Sequence, residues 1–325
     1  MKKLILIGLL IGQMFIVSFS WATDYFGCAT ASVNSDNTFC TTPTGSCTGS
    51  SAVSAATALQ AGNNLYANGC TLSISDTFTA TGIFTTDGDA GGSAVAGGTF
   101  TIDLSSVKGK TITANITAGA EHCLQVSGAA DAGTQLTLSG NINGSSTTNT
   151  KYGVGDTHTV GNIVVSGNIT GGGNSGATGY VFSGATGSIS VTGNASASAT
   201  GSGLGSGVAL SAAGTGTITG NCFGGGLSGT TVGCAATSTG GLTINGSIIN
   251  GSRSVAISGK IIWNPTAPEI GIGSYFKSDG GGSAVYTGTM ATATDVITGK
   301  YFINKADGVV TQGSASSSGG GAWAF

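Results

Sequence analysis

The stretches LTLSGNING at 136–144 and IVVSGNITG at 163–171 are two copies of one unit, and further copies follow the same plan. Aligned on the small residue before the Asn, they anchor at Ala114, Gly140, Gly167, Gly193, Gly220 and Gly246, at intervals of 26, 27, 26, 27 and 26 residues. A fixed period of this length marks stacked coils. Two residues before each anchor stand Ile112, Leu138, Val165, Val191, Ile218 and Ile244; two after it stand Ile116, Ile142, Ile169, Ala195, Cys222 and Ile248. All are apolar. The residue directly before the anchor is Thr113, Ser139, Ser166, Thr192, Thr219 or Asn245, so each unit alternates with the period of two of a half-buried strand. The expected fold is all-β: a parallel β-helix, or β-solenoid, of about 26–27 residues per coil.

Leucine-rich repeats share this period, but they want another Leu two residues after the Asn and then helix-forming sequence. Here those positions hold Asn143, Thr170 and Ser196, followed by Gly and Ser, which disfavour a helix. The residue after the anchor is Asn115, Asn141, Asn168, Asn194 or Asn221, with Ser247 as the exception. Gly-Asn suits a sharp bend, and Asn side chains stacked about 4.8 Å apart can hydrogen-bond along their column. The alternative reading of Asn115, Asn168 and Asn194 is as glycan acceptors.

The chain holds 60 Gly in 325 residues, with 7% charged residues and 3 Pro, yet it has no three-residue period, which excludes collagen. The regular apolar alternation argues against plain disorder. Residues 1–22 read as a secretory signal peptide, with Lys2 and Lys3 before an apolar run and Ser20-Trp21-Ala22 as the cleavage site; a retained anchor is the alternative. Its removal leaves 8 Lys+Arg against 13 Asp+Glu, a net charge of −5, which argues against nucleic acid as a partner.

An exported chain with seven cysteines is expected to form disulfides. Cys28, Cys40, Cys47 and Cys70 form one candidate group and Cys222 with Cys234 another, while Cys123 is left as a free buried thiol. Residues 23–69 read as a Cys-rich N-terminal cap, in which Ser51–Leu65 is the one helical stretch and Gly62-Asn63 its end. The solenoid follows over 70–263, with a degenerate coil anchored at Gly88, 26 residues before Ala114. Residues 264–325 open on Asn264-Pro265 and read as C-terminal cap strands, KYFIN among them, and a flexible tail.

A Cys-rich start, a helical cap and then GNI-type coils behind a signal peptide resemble the right-handed parallel β-helix proteins of bacterial surfaces, such as autotransporter passengers and filamentous-haemagglutinin-like adhesins. The resemblance covers about 70–260 and its motifs are architectural. It implies a right-handed coil, adhesion or surface display, and an outer-membrane secretion partner. The segment from 264 is too short for a membrane β-barrel of its own, a departure from single-chain autotransporters; only Trp323-Ala324-Phe325 is similar to an outer-membrane end signal.

Enzymes on this fold that cleave acidic polysaccharides need clustered carboxylates and usually a cation for the sugar acid. Arg253 is the chain's single arginine and the acids are scattered. Because one coil is about 26 residues, Asp131 and Asp156 could lie side by side, which makes them the candidate catalytic pair; both fall in Gly/Thr-rich sequence where solvated acids are ordinary. Asp87 and Asp89 flank Gly88 as a weak calcium candidate, with a plain turn as the alternative. No cofactor motif is present. The expected function is that of a secreted or cell-surface, non-enzymatic adhesin-like scaffold that meets a surface, a glycan or its own copies. The alternative is a carbohydrate-active β-helix enzyme or sugar-binding spike.

Overall fold

The computed structural model describes residues 22–263 apart from 29–30, 44–51, 61, 87–97, 130–132, 134, 149, 174–175, 199–204, 212, 225–231, 237–240, 247, 250–256 and 260, together with 301–303, 310–312 and 314. Parallel coils stack into a β-solenoid whose walls are a 17-stranded and a nine-stranded sheet. The anchored repeats build the larger sheet. Gln135–Ser139, Asn162–Ser166, Ser188–Thr192 and Thr215–Thr219 lie side by side in register, so that Leu138, Val165, Val191 and Ile218 face one another. This column and its partner of Ile116, Ile142, Ile169, Ala195 and Cys222 are fully buried. A second series of strands, Thr99–Asp103, Leu124–Ser127, Val154–Asp156, Tyr180–Phe182, Val208–Leu210 and Cys234–Ala236 among them, forms the second sheet, which brings Phe100, Leu124, Val154, Tyr180, Val208 and Cys234 inward from the opposite wall. Removing these apolar faces from water is what holds such a stack together, since each coil has no core of its own.

The bend inside each repeat falls on the glycine and not on the Asn. Gly140, Gly167, Gly193 and Gly220 have φ of 134°, 156°, 145° and 159°, which side-chain-bearing residues rarely adopt. A Cβ on any of them would also lie 2.1–2.2 Å from the anchor carbonyl of the coil before. The Asn that follows is thereby free to make a ladder. Asn115 Oδ1 accepts from the Asn141 N–H at 3.1 Å, Asn141 from Asn168 at 3.1 Å, Asn168 from Asn194 at 3.0 Å and Asn194 from Asn221 at 2.8 Å. The expected column of amide-to-amide bonds is therefore a column of side chain to backbone bonds, which occupies one donor per coil that the bend leaves outside the sheet.

Three expectations are corrected. The helix is one turn, Ala55–Ala58, capped by Ser54, whose Oγ accepts from the Thr57 N–H at 3.2 Å. Val53 before it pairs with Phe39, and after it Gly62 at φ 93° turns the chain so that Leu65 enters a core strand, Asn64–Tyr66. Ala residues supply too little apolar stripe to hold the longer helix against that pull. Asp24–Gly27 pairs parallel with Asn64–Tyr66, so parallel stacking reaches back into the Cys-rich segment. The coil before Ala114 anchors at Ala80, with two extra residues bulged between Ala80 and Ile83, instead of at Gly88, which lies outside the described residues.

The third correction is Cys70, which is a free, half-buried thiol whose pKa is pushed up by burial. Cys28 and Cys40 are disulfide-bonded, and Cys47 lies outside the described residues. Cys123 is a buried thiol outside any disulfide, and it donates to the Phe84 carbonyl at 3.4 Å. Cys222 and Cys234 are bonded with their Cα atoms 6.2 Å apart. Both point inward from opposite walls, so the bridge crosses the interior of a single coil. Closing that short loop is expected to contribute about 3 kcal/mol. Unfolding in urea with and without reductant, and of the Cys222→Ala/Cys234→Ala double variant, measures it; coincident midpoints would show that the bridge adds nothing. Tyr301–Ile303 and Val310–Gln312 pair as an antiparallel hairpin, the first of them within the KYFIN segment expected to be a strand.

Candidate functional site

Asp156 is not a solvated loop acid. It ends the strand Val154–Asp156 of the second sheet, in register with Val126 and Phe182, and occupies an inward position that its neighbours fill with apolar side chains. It is 1% exposed. A carboxylate in such a place must have its oxygens occupied. His158 Nδ1 lies 2.7 Å from Oδ1, the His158 N–H donates to the same oxygen at 3.0 Å, and the Tyr180 hydroxyl donates to Oδ2 at 2.6 Å. Two residues beyond Asp156, His158 points to the same side of the chain and is itself fully buried.

The imidazole stacks on Phe182 with ring centroids 4.8 Å apart, and Nε2 lies 3.3 Å from the Gly161 carbonyl. Both ring nitrogens thus face acceptors, and no donor of the ring is left unpaired in either charge state. Gly187 makes room for it, since a Cβ there would lie 2.2 Å from Nε2. Burial, with the Asp156 carboxylate beside it, holds the Tyr180 proton on well above the ordinary tyrosine range. The set has the outline of an acid–base relay, but none of its side chains reaches solvent from which a substrate could come. Its geometry suits fixing the register of two successive coils at one point of the core.

On the outer face of the same strands is a cleft of about 230 Å³. Its floor is Gln125, Gly155 and Val181, successive members of one outward column. His122 and Tyr152 stack with centroids 4.4 Å apart and form one wall; Ser127, Thr157 and Ser183 form the other. The Tyr152 N–H donates to His122 Nδ1 at 3.0 Å, which leaves the proton of the neutral ring on Nε2. Burial, with Lys151 nearby, lowers the His122 pKa below the usual histidine value, so the neutral form dominates at pH 7. Lys151 itself pairs with Glu121 at 2.6 Å. The arrangement can hold an uncharged polar ligand, and it supplies no free carboxylate or cation for bond cleavage.

Asp131, Asp87 and Asp89 lie outside the described residues. Across the coils, the residues that register brings to Asp156 are Val126 and Phe182. Among the described residues no three His, Cys, Asp or Glu side chains are grouped to hold a metal ion. His158, Tyr180, His122 and Tyr152 were not singled out by spacing. Their one signal was the series of triplets at 124–126, 180–182 and 208–210, in which Val154-Gly155-Asp156 is the missing member. Comparison with protein-family models, with curated proteins and with solved structures finds no match for the chain.

Proposed function

We propose that this chain is a secreted or cell-surface β-solenoid that adheres without catalysing a reaction, its partner being a surface, a glycan or a further copy of itself. The observation that carries the reading is the disposal of the titratable groups. Asp156 and His158 are spent on each other inside the coil, Glu121 and Lys151 on each other at its edge, and the cleft between them is lined by neutral donors and acceptors. Outward positions such as Thr137, Ser139, Ser166, Ser190, Thr192 and Thr219 repeat hydroxyls, which suit many weak contacts. Export would follow from the signal peptide at 1–22, and passage to the surface from an outer-membrane partner.

The alternative, a carbohydrate-active enzyme, makes the opposite demand on chemistry: a carboxylate that meets the sugar. Incubating the purified chain from residue 23 with neutral and acidic polysaccharides separates the two. Retention on a glycan, on cells or in self-assembled particles, with no new reducing ends and no change in glycan mass, is the expected result. Depolymerisation by the wild-type chain would overturn it.

A further inference from the structure

We infer that the cleft over Gly155 is a subsite for one neutral sugar ring of a glycan chain. The inference rests on the adhesive reading above and narrows it to one place and one ligand class. Its first support is a glycine that the backbone does not need. Gly153 and Gly179 are forced, since a Cβ on either would lie 2.5–2.7 Å from a side chain of the facing wall or a backbone oxygen. Gly155 has no positive φ, and a Cβ on it would meet nothing nearer than Tyr152 Cδ2 at 3.7 Å. Between Gln125 and Val181 the missing side chain does one thing: it opens the floor of the cleft.

The groups that converge there match hydroxyls, which both donate and accept. His122 offers Nε2–H, while the Gln125 amide, the Tyr152 hydroxyl and the Ser127 hydroxyl have no hydrogen-bond partner among the described residues. Thr157 and Ser183 donate to the Val126 and Asp156 carbonyls of the coil before, at 3.2 and 3.1 Å, and keep lone pairs to accept with. Val181 and the stacked aromatic wall supply apolar surface for the C–H face of a ring. The carboxylate of Asp156 is turned inward and Lys151 is tied to Glu121, so no charged group waits for a charged sugar. A uronate or sialate would give up water with no cation to meet it. At about 230 Å³ the cleft is smaller than the roughly 300–1,000 Å³ that encloses a drug-sized ligand, which limits it to a single ring of a chain lying across the sheet.

The test is an array of neutral glycans ending in hexose or N-acetylhexosamine, beside sialylated and uronate-bearing ones, probed with the wild-type chain, Gly155→Val, Tyr152→Ala and, as control on the other sheet, Thr219→Val. Thermal unfolding of each variant reports the fold. Expected are binding of at least one neutral class, a loss of ten-fold or more in both cleft variants with the unfolding temperature of the Gly155 variant unchanged, and wild-type binding by the control. Neutral-glycan binding that survives both cleft substitutions would put the subsite elsewhere and leave the adhesive reading standing. Preference for acidic glycans, or no glycan binding beside intact surface binding or self-assembly, overturns the subsite alone. Cleavage of a glycan that still depends on Gly155 and Tyr152 would keep the subsite and remove the non-enzymatic reading.

Discussion

Asp156→Ala is expected to lower the stability of the solenoid by several kcal/mol, since each buried donor left without its acceptor costs about 1–3 kcal/mol. The substitution leaves three donors facing a void: the His158 ring, the His158 N–H and the Tyr180 hydroxyl, all within 3.0 Å of the lost oxygens. None can turn to water, because His158 is held between Phe182 and Gly187 and Tyr180 lies in the inward column. Asp156→Asn keeps the volume but turns one acceptor into a donor, so it should cost less than Ala and more than a surface change. The triple change Asp156→Val, His158→Leu, Tyr180→Phe removes both orphaned side-chain donors, leaves only the backbone N–H of residue 158 without its acceptor, and should recover much of the loss. Urea midpoints of the three variants order the outcomes. If Asp156→Ala shifted the midpoint no further than Thr219→Val, the network would not be holding the coils, and its carboxylate would have to be sought in chemistry.

The placing of Asp156 marks where sequence reading stops. The columns from Ile112 to Ile244 and from Ile116 to Cys222 were legible because period two and a period of 26 or 27 act together, and an error of one residue would turn every side chain to the wrong face. The second sheet repeats less regularly, since the loops between its strands differ in length, and there a charged residue after two glycines reads as a loop. Only the register against Val126 and Phe182 turns it inward. The cleft was hidden for the same reason. His122 and Tyr152 are 30 residues apart, not 26, and the extra length lies in the connection at 144–153. Ser51–Leu65 failed in another way: its alanines read as helix, but Val53 and Leu65 were already committed to strand partners. Cys70 was grouped by crowding along the chain, and crowding says nothing about which way a thiol points.

Gly193→Ala should cost on the order of 3 kcal/mol or more, although it adds one methyl group at the surface of a sheet. Two penalties fall on the same atom. At φ 145° a side chain is strained, by roughly 1–3 kcal/mol. The new Cβ would also lie 2.2 Å from the Gly167 carbonyl oxygen and 2.7 Å from its carbon. That oxygen is backbone of the coil before and cannot swing away as a side chain would. Relief would have to come from parting the two coils, which breaks the bond from the Asn194 N–H to Asn168 Oδ1 and stretches the pairing of Ser188–Thr192 with Asn162–Ser166. The comparison that isolates the cause is Asn168→Ala, which removes the ladder acceptor without the clash and should cost about 1 kcal/mol. A second comparison is Gly155→Ala, where neither positive φ nor a close neighbour opposes the methyl group and the change should be neutral within about 0.5 kcal/mol. Urea unfolding of the three single variants should therefore rank them Gly193→Ala, Asn168→Ala, Gly155→Ala in order of falling cost. A Gly193→Ala chain as stable as Gly155→Ala would mean that the coils do not approach at the glycine column, and the stacking of the repeats on that column would be wrong.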